Sequence, residues 1–283
     1  STKFSGSLKL PLNKSHFTIG SRCYMEQIKI VFFDVDGTLI DYKADGMSAK
    51  TVEMLKGLQA NGIKICIASG RAPVQMPDIP GVKFDACVTY NGSYCYTGDG
   101  KVIFRNPLSK KDVLQILKNT AELNRPVSIA TATRSAANGV DEDLHEYYVM
   151  GGIDLKPAPD FDQVLQDDVY QIMVGGREPE RPHMVENTEN AKIAAWWDRA
   201  VDIVPADGGK GRGVIKVLEY FGLKTSEAMA FGDGNNDLEM FQTVDYCVAM
   251  GNGSEDLKKI AWATCGNCED DGIYHFCKEN KLI

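Results

Sequence analysis

The chain has 283 residues, of which 43% are hydrophobic and 25% charged, with a formal net charge of −8 at pH 7. This composition is ordinary for a globular protein that buries one or two cores, and it excludes wholesale disorder. An acidic chain repels polyanions and no apolar run approaches the roughly 20 residues that span a bilayer, so neither nucleic acid nor membrane is an expected partner.

The first part of the chain divides at Met25. Residues 1–24 are polar, carry only basic charges and show no periodicity, so we interpret them as an extension outside the fold, a tag or a disordered segment, with an arm docked on the fold as the alternative. Residues 28–33 then form an apolar run that predicts a strand buried on both faces. Asp34 and Asp36 follow directly, and their burial demands a compensating cation or proton.

From Met25 onward, short apolar strands alternate with amphipathic helices, which is typical of a parallel sheet covered on both faces. A helix is predicted from about Ser48, its N-cap, to Asn61, and strands follow in "GIKICIASG" and "DACVTYNG".

Beyond Gly92 the pattern changes. "YCYTGDGKVIFR" predicts a hairpin, which belongs to antiparallel sheets, and residues 109–123 predict a helix. Further strands are predicted in "PVSIAT", "VYQIMVGG", "AKIAAWW" and "AVDIVPA". After "DGGKGRG" the first pattern resumes, with helices over 210–221, 235–242 and 254–262 and strands in "AMAFGDG" and "YCVAM".

These changes predict an α/β protein with a Rossmann-like parallel-sheet core and an inserted α+β domain. The core comprises residues 25–90 and 206–283, and the inserted domain comprises residues 91–205. We expect a cytoplasmic protein that is a monomer or a weak homo-oligomer.

Polar residues from distant parts of the chain follow the predicted core strands. Ligands of open parallel sheets bind beyond the carboxyl ends of the strands, so these residues should meet at one edge. They are Asp34 and Asp36 after the first strand, Ser69 after the second, Lys210 at a helix start, and Asp233 with Asp237 after a later strand. A Mg²⁺ ion takes oxygen ligands and would partly neutralise such an acidic cluster.

This set of residues suits phosphoryl transfer. With Mg²⁺ and Lys210 on a phosphate, Asp34 could attack phosphorus and form an aspartyl-phosphate. Asp36 lies on the same side of the strand by the two-residue period, so it could protonate the leaving oxygen and later activate water, while its backbone carbonyl binds the metal. Gly37 permits a sharp turn, and Thr38 adds a hydroxyl donor.

The chain resembles the haloacid dehalogenase superfamily of phosphohydrolases, and within it the Cof-type branch. Four motifs occur in order: "DVDGT" at 34–38, "ASGR" at 68–71, Lys210 in "GGKGRG", and "GDGNND" at 232–237. The resemblance extends from about residue 27 to the C-terminus. It implies the fold of that superfamily, with a large cap that closes over the site and selects the substrate.

The resemblance also implies a role for each motif residue. By this resemblance, Asp34 matches the nucleophile and a metal ligand, and Asp36 matches the general acid/base. Asp233 matches a metal ligand, and Asp237 matches its supporting carboxylate. Ser69 and Lys210 match phosphate binders, and Asn236 matches a residue that contacts the phosphate. Thr38, Gly70 and Arg71 complete the predicted substrate-binding set. Arg71 could equally form a surface salt bridge.

The leading hypothesis is a Mg²⁺-dependent phosphatase acting on small phosphorylated metabolites, with sugar phosphates favoured by the resemblance alone. A sugar phosphomutase would use the same two aspartates. A phospho-acceptor module similar to bacterial receiver domains is a further alternative, although receivers are much shorter.

The cysteines leave a separate possibility open. Most of the eight lie in apolar segments, which suits the reduced thiols of a cytosolic protein. Near the C-terminus, however, Cys265, Cys268, His275 and Cys277 form a pattern compatible with zinc or redox chemistry. The pattern lacks the wider spacing of two paired zinc knuckles, so packing is the preferred interpretation.

Overall fold

The computed structural model of the protein describes residues 27–195 and 197–283. The predicted extension over 1–24 lies outside the described residues. Within these ranges the chain forms two β-sheets, a first sheet of eight strands and a second sheet of five. None of the described helices combines the length and apolar character needed to cross a bilayer.

The strands and α-helices, each numbered in chain order, have the following bounds. The strands are β1 (Ile30–Phe33), β2 (Lys64–Ala68), β3 (Ala86–Thr89), β4 (Tyr94–Thr97), β5 (Val102–Arg105), β6 (Val127–Ala130), β7 (Ser135–Ala137), β8 (Gln171–Gly175), β9 (Ala191–Ala194), β10 (Ala200–Pro205), β11 (Ala228–Gly232), β12 (Tyr246–Ala249) and β13 (Ala263–Thr264). The α-helices are α1 (Ala49–Ala60), α2 (Lys110–Glu122), α3 (Glu142–Met150), α4 (Phe161–Val164), α5 (Arg181–Met184), α6 (Lys210–Phe221), α7 (Leu238–Thr243), α8 (Glu255–Ile260) and α9 (Gly272–Glu279).

The first sheet has the strand order β13-β12-β11-β1-β2-β3-β4-β5. The six strands from β13 to β3 are parallel, whereas β4 and β5 are antiparallel additions at one edge. The predicted α/β class with a parallel-sheet core is therefore confirmed.

Strand β1 lies in the middle of the parallel part and is fully buried. Val31 and Phe33 pack into the cluster that contains residues of α1 and α9, while Ile30 and Phe32 pack against residues of α6, α7 and α8. A strand covered by helices on both faces has no polar face, which explains the continuous apolar run in its sequence.

The second sheet is antiparallel, with the strand order β7-β6-β8-β10-β9. One of its faces packs against α2 and α5. On the other face, Met173 and Ala130 join a cluster with Tyr148 of α3 and with Tyr90, which follows strand β3 of the first sheet. The two sheets are thus in direct contact.

The hairpin predicted in residues 94–105 forms, but it pairs with β3 and extends the first sheet. The strands of the second sheet accordingly begin at Val127 and end at Pro205. The domain bounds at 90/91 and 205/206 stay a prediction.

A close approach of two backbone segments fixes the start of α6. Gly92 has φ +93°, and a Cβ atom placed on it would lie 2.0 Å from the carbonyl oxygen of Gly209. Only glycine fits such a position, because a side chain would be strained by φ and blocked by the neighbouring backbone. Gly209 directly precedes Lys210, so this contact sets where Lys210 begins its helix.

We predict that Gly92→Ala destabilises the protein by about 2–4 kcal/mol, because φ strain and overpacking act together. Gly100→Ala is the matched control: Gly100 has φ +88°, but no atom lies within 4 Å of the point that an alanine methyl carbon would occupy there. The control should lose only the strain, about 1–2 kcal/mol. Denaturant unfolding measures both values, and equal losses in the two variants would contradict the steric role of Gly92.

Candidate active site

The predicted site residues meet at the carboxyl edge of the parallel strands. Asp34 follows β1, Ser69 follows β2, and Asp233 follows β11. These strands are neighbours in the first sheet, so their ends converge although the residues are far apart in sequence. Lys210, the first residue of α6, reaches the same edge.

Lys210 is the centre of the site. Its ammonium Nζ donates to Asp34 Oδ1 at 2.6 Å and to Asp237 Oδ1 at 2.7 Å, and the Lys210 and Asp237 side chains are completely buried. Burial alone would lower the pKa of Lys210, but Asp237 and Asp34 raise it above its usual value. The ammonium therefore stays charged inside the protein.

This arrangement destabilises the charged form of two carboxyl groups. Burial raises the pKa of Asp34 well above its ordinary value, and the charges of Asp237 and Asp233 add to the rise although Lys210 opposes it. Burial and Asp237 also raise the pKa of Asp233. A single ammonium is thus insufficient compensation for three neighbouring acids.

Asp237 organises the loop after β11. Its Oδ2 accepts backbone hydrogen bonds from Asp233 and Gly234, both at 3.0 Å, while its Oδ1 accepts from Lys210. A Cβ atom on Gly232 would lie 2.5 Å from Oδ2, so a glycine is needed for the loop to close on this carboxylate. Both oxygens of Asp237 are therefore already engaged by the protein.

Asp233 receives two hydroxyl groups. Thr38 Oγ1 donates to its Oδ1 at 3.2 Å, and the hydroxyl of Tyr42 donates to its Oδ2 at 3.1 Å. Thr38 therefore lies beside the acidic group, and its predicted role in binding the substrate stays a prediction. Sequence reasoning missed Tyr42, because nothing in the local sequence marks it as a site residue. In the structure the residue is 72% exposed, yet its hydroxyl reaches Asp233.

Asp36 lies at the rim and forms a bidentate ion pair with Arg71. The guanidinium donates from Nε to Oδ2 at 2.9 Å and from Nη2 to Oδ1 at 2.6 Å. Both side chains are partly exposed, at 44% for Asp36 and 31% for Arg71. Arg71 thus forms a salt bridge, one of the two roles considered for it, and its partner is a carboxylate of the site.

Ser69 and its neighbours form a further group of polar residues at this edge of the sheet. Ser69 is buried, its Oγ accepts from the Arg71 amide at 3.1 Å, and its carbonyl accepts from the Asn91 amide at 3.0 Å. A Cβ atom on Gly70 would lie 3.0 Å from Asn91 Nδ2, and Asn236 Nδ2 is 3.5 Å from Asn91 Oδ1. Ser69, Gly70 and Asn236 are thus brought together around Asn91.

Asn252 and Cys268 contact the loop that contains Gly37 and Thr38. Asn252 Nδ2 donates to the Gly37 carbonyl at 2.8 Å, and Asn252 Oδ1 accepts from the Cys268 amide at 2.8 Å. Cys268 Sγ lies 3.2 Å from the Thr38 carbonyl. Sequence reasoning missed Asn252, because an asparagine between two glycines predicts only a turn.

The cysteine alternative can now be judged in the part of the chain that the structure describes. None of the seven cysteines there is part of a disulfide. The group of potential metal-ligating side chains found there consists of Asp34, Asp233 and Asp237, with no cysteine or histidine. Cys268 instead contacts the loop of Thr38, and Cys265 lies 3.5 Å from the sulfur of Met250.

The acidic group fits a hard divalent cation. One oxygen from each of Asp34, Asp233 and Asp237 lies within 4.8 Å of the others. An oxygen-only donor set of carboxylates is of the kind that Mg²⁺ binds in proteins. Burial raises the pKa values of Asp34 and Asp233, and the neighbouring carboxylates add to the rise.

Comparison with known proteins gives a consistent result. The sequence profile of haloacid dehalogenase-like hydrolases matches residues 31–277. A Bacillus subtilis protein named "Putative phosphatase YkrA" is 30% identical over 259 residues, which cover 90% of this chain and 98% of the relative. The 5-amino-6-(5-phospho-D-ribitylamino)uracil phosphatase YitU of the same species is 25% identical over 266 residues, covering 88% and 96% respectively.

A solved structure agrees with these relatives. A sugar phosphatase of subclass IIB of the same superfamily superposes with a TM-score of 0.78 at 26% identity, covering 90% of this chain and all of the other. The similarity thus extends across both sheets.

We predict that Lys210→Met destabilises the metal-free protein by about 3–5 kcal/mol at pH 7, because it leaves buried carboxylates without their cation. In the variant, the pKa values of Asp34 and Asp233, which are already raised, should rise further above their values in the unfolded chain. The loss of stability relative to wild type should therefore shrink as the pH falls and these acids take up protons. Denaturant unfolding of variant and wild type at pH 7 and pH 5 measures this.

The matched control is Lys111→Met, which removes an exposed ion pair with Glu189. It should change stability little at either pH. If the deficit of Lys210→Met is small, or the same at both pH values, then Lys210 does not compensate the buried acids.

Proposed function

The chain belongs to the haloacid dehalogenase-like hydrolases and is a phosphatase of their Cof-type branch, and from this premise we propose that it hydrolyses small phosphate monoesters with Mg²⁺ through an aspartyl-phosphate on Asp34. Sugar phosphates are the favoured substrates, since a similar solved structure is that of a sugar phosphatase. The observation that carries the proposal is the buried contact between Lys210 and Asp34 beside two further carboxylates.

Asp34 is the proposed nucleophile. Its Oδ1 is held by Lys210 at 2.6 Å, so one oxygen has a fixed position and the carboxylate cannot rotate freely. Attack forms a bond from a carboxylate oxygen to phosphorus and breaks the bond from phosphorus to the alcohol oxygen. Lys210, which stays charged, would also attract the phosphate oxygens as negative charge develops on them.

Asp36 is the proposed general acid and base. It would give a proton to the departing alcohol oxygen and then take one from the water that hydrolyses the aspartyl-phosphate. The ion pair with Arg71 fixes the orientation of its carboxyl group at the rim.

The metal would be held by side-chain oxygens of Asp34 and Asp233 and by the backbone carbonyl of Asp36. Asp237 belongs to the same acidic group, but its oxygens already bind Lys210 and two backbone amides, so we assign it a supporting role. When bound, Mg²⁺ supplies positive charge to the phosphate and to the acids around it. Ser69 and Asn236 would bind the remaining phosphate oxygens, with Thr38 and Gly70 beside them.

The proposal includes a cytoplasmic location and a small phosphorylated metabolite as the partner. The described cysteines form no disulfide, which fits a reducing compartment. The experiment that tests the function is a screen for phosphate release from sugar phosphates, nucleotides and other monoesters, with Mg²⁺ and with a chelator. An isomeric sugar phosphate in place of free phosphate would instead support a mutase.

We predict that Asp34→Asn abolishes Mg²⁺-dependent phosphate release while the fold survives, because the amide is nearly isosteric but a poor nucleophile. Circular dichroism checks the fold. Asp41→Asn is a matched control on the adjacent loop, where Asp41 accepts a hydrogen bond from the Lys43 amide, and it should keep wild-type turnover. Residual turnover by Asp34→Asn close to wild type would refute the assignment.

We further predict that Asp233→Asn raises the Mg²⁺ concentration for half-maximal activity by at least about tenfold, the lower range for loss of supporting groups at metal sites. Mg²⁺ titrations of steady-state rates measure this. Asp256→Asn, which removes an exposed carboxylate paired with Lys259, should leave the titration unchanged. An unaltered Mg²⁺ dependence in Asp233→Asn would exclude Asp233 as a ligand.

A further inference from the structure

One row of side chains crosses the second sheet. Ser135, Ala130 and Gln171 are direct cross-strand partners on β7, β6 and β8. Val204 and Lys192 are partners on β10 and β9. The pairing of Ile203 with Ile172 sets Val204 beside Gln171, so the row is continuous. Direct partners point to the same face of a sheet, and Gln171 and Lys192 are therefore two strands apart on one face.

This row faces the first sheet. Ile172 and Ile203, one position away, pack on the opposite face with α2 and α5. Met173, two positions from Gln171, packs in the same cluster as Tyr90, which follows β3 of the first sheet. Because side chains alternate between the two faces, Gln171 shares the face of Met173.

Gln171 is connected to the site by contacts of its neighbour. Tyr170 stacks on Tyr90 with ring centroids 5.7 Å apart and ring planes within 4°. Tyr90 precedes Asn91, whose amide donates to the carbonyl of Ser69. The start of β8 thus lies against the segment that carries Asn91.

Lys192 is connected to the site from the other side. Its Nζ donates to the carbonyl of Gly208 at 3.1 Å, two positions before Lys210. Lys192 is only partly buried, and an ammonium group has three donors. It can therefore keep this contact and still donate to a bound molecule.

Gln171 contains an unusual group for a protein interior. The residue is only 6% exposed, and its Oε1 is buried with no hydrogen-bond partner. Leaving such an atom unpaired costs about 1–3 kcal/mol, so it calls for an explanation such as a ligand that donates to it. An amide oxygen accepts from a hydroxyl or an amine.

We propose that Gln171 and Lys192 bind the alcohol part of the substrate, with Gln171 accepting from one hydroxyl and Lys192 donating to another oxygen. The expected leaving group is a polyhydroxylated alcohol such as a sugar or sugar alcohol. Val204, between the two residues, and Ala130 beyond Gln171 have short apolar side chains. This inference rests on the proposed phosphatase function and names residues that select its substrate.

The test compares two esters that differ in the alcohol. The first is the best hexose or polyol phosphate found in the wild-type screen, and the second is p-nitrophenyl phosphate, whose leaving group has no aliphatic hydroxyl. For Gln171→Leu and Lys192→Met, kcat/KM for the sugar ester should fall by about tenfold or more, while the nitrophenyl ester changes by less than about twofold.

Two surface variants serve as controls. Gln163→Leu on α4 and Lys118→Met on α2 make the same chemical changes at exposed positions, and both should retain wild-type values for both esters. Thermal unfolding adds a readout of structure: Gln171→Leu removes the unpaired oxygen, so its Tm should be equal to or above that of wild type.

Other outcomes overturn the inference. An equal loss for both esters, or a lower Tm of Gln171→Leu with unchanged selectivity, means that the residues act only in folding. A wild type that does not prefer any sugar or polyol ester has no such subsite. If wild type hydrolyses neither ester with Mg²⁺, the proposed function itself fails, and the inference fails with it.

Discussion

The site depends on one electrostatic constraint: three carboxylates surround a single buried ammonium. Lys210 contacts Asp34 and Asp237 directly, and Asp233 lies within the same small group of oxygens. Formally, one positive charge opposes three negative charges, which leaves two to be balanced. A divalent cation would supply that balance, and together with Lys210 it would offer two positively charged groups to the oxygens of a phosphate. The excess negative charge therefore supports the proposed metal, and the two cations together support the proposed phosphate substrate.

The scaffold is built to hold those charges together. Asp34 and Lys210 are 176 positions apart, so only the folded sheet can bring them to 2.6 Å. Backbone packing supports this distance, because Gly92 lies against Gly209 at the start of the lysine helix. The loop of Gly37 is fixed in turn by Asn252, which contacts the Cys268 segment. The C-terminal cysteine segment thus has a structural explanation through its contact with the loop after β1.

Local signals in the sequence predicted the elements with clear boundaries. Helix α6 spans Lys210–Phe221, as its apolar stripe indicated, and α1 begins after the predicted cap Ser48, whose side chain accepts from the Thr51 amide. The nine-residue helix α3 was missed because it offers only about two turns of periodicity. The hairpin sequence predicted its own turn but could not reveal that β3 is its partner. Long-range pairing depends on the whole fold, and neither the Arg71–Asp36 ion pair nor the Tyr42 contact leaves a local pattern.

The two sheets divide the chemistry between them. The groups proposed to act on the phosphate lie at the carboxyl edge of the first sheet, where burial and fixed backbone contacts leave little freedom. The face of the second sheet that meets them contains an unpaired amide and a partly buried lysine instead. An unsatisfied acceptor is a cost to folding, and replacing it with an apolar side chain would remove that cost. The presence of this unpaired oxygen therefore supports the inference that it has a partner that is not part of the chain.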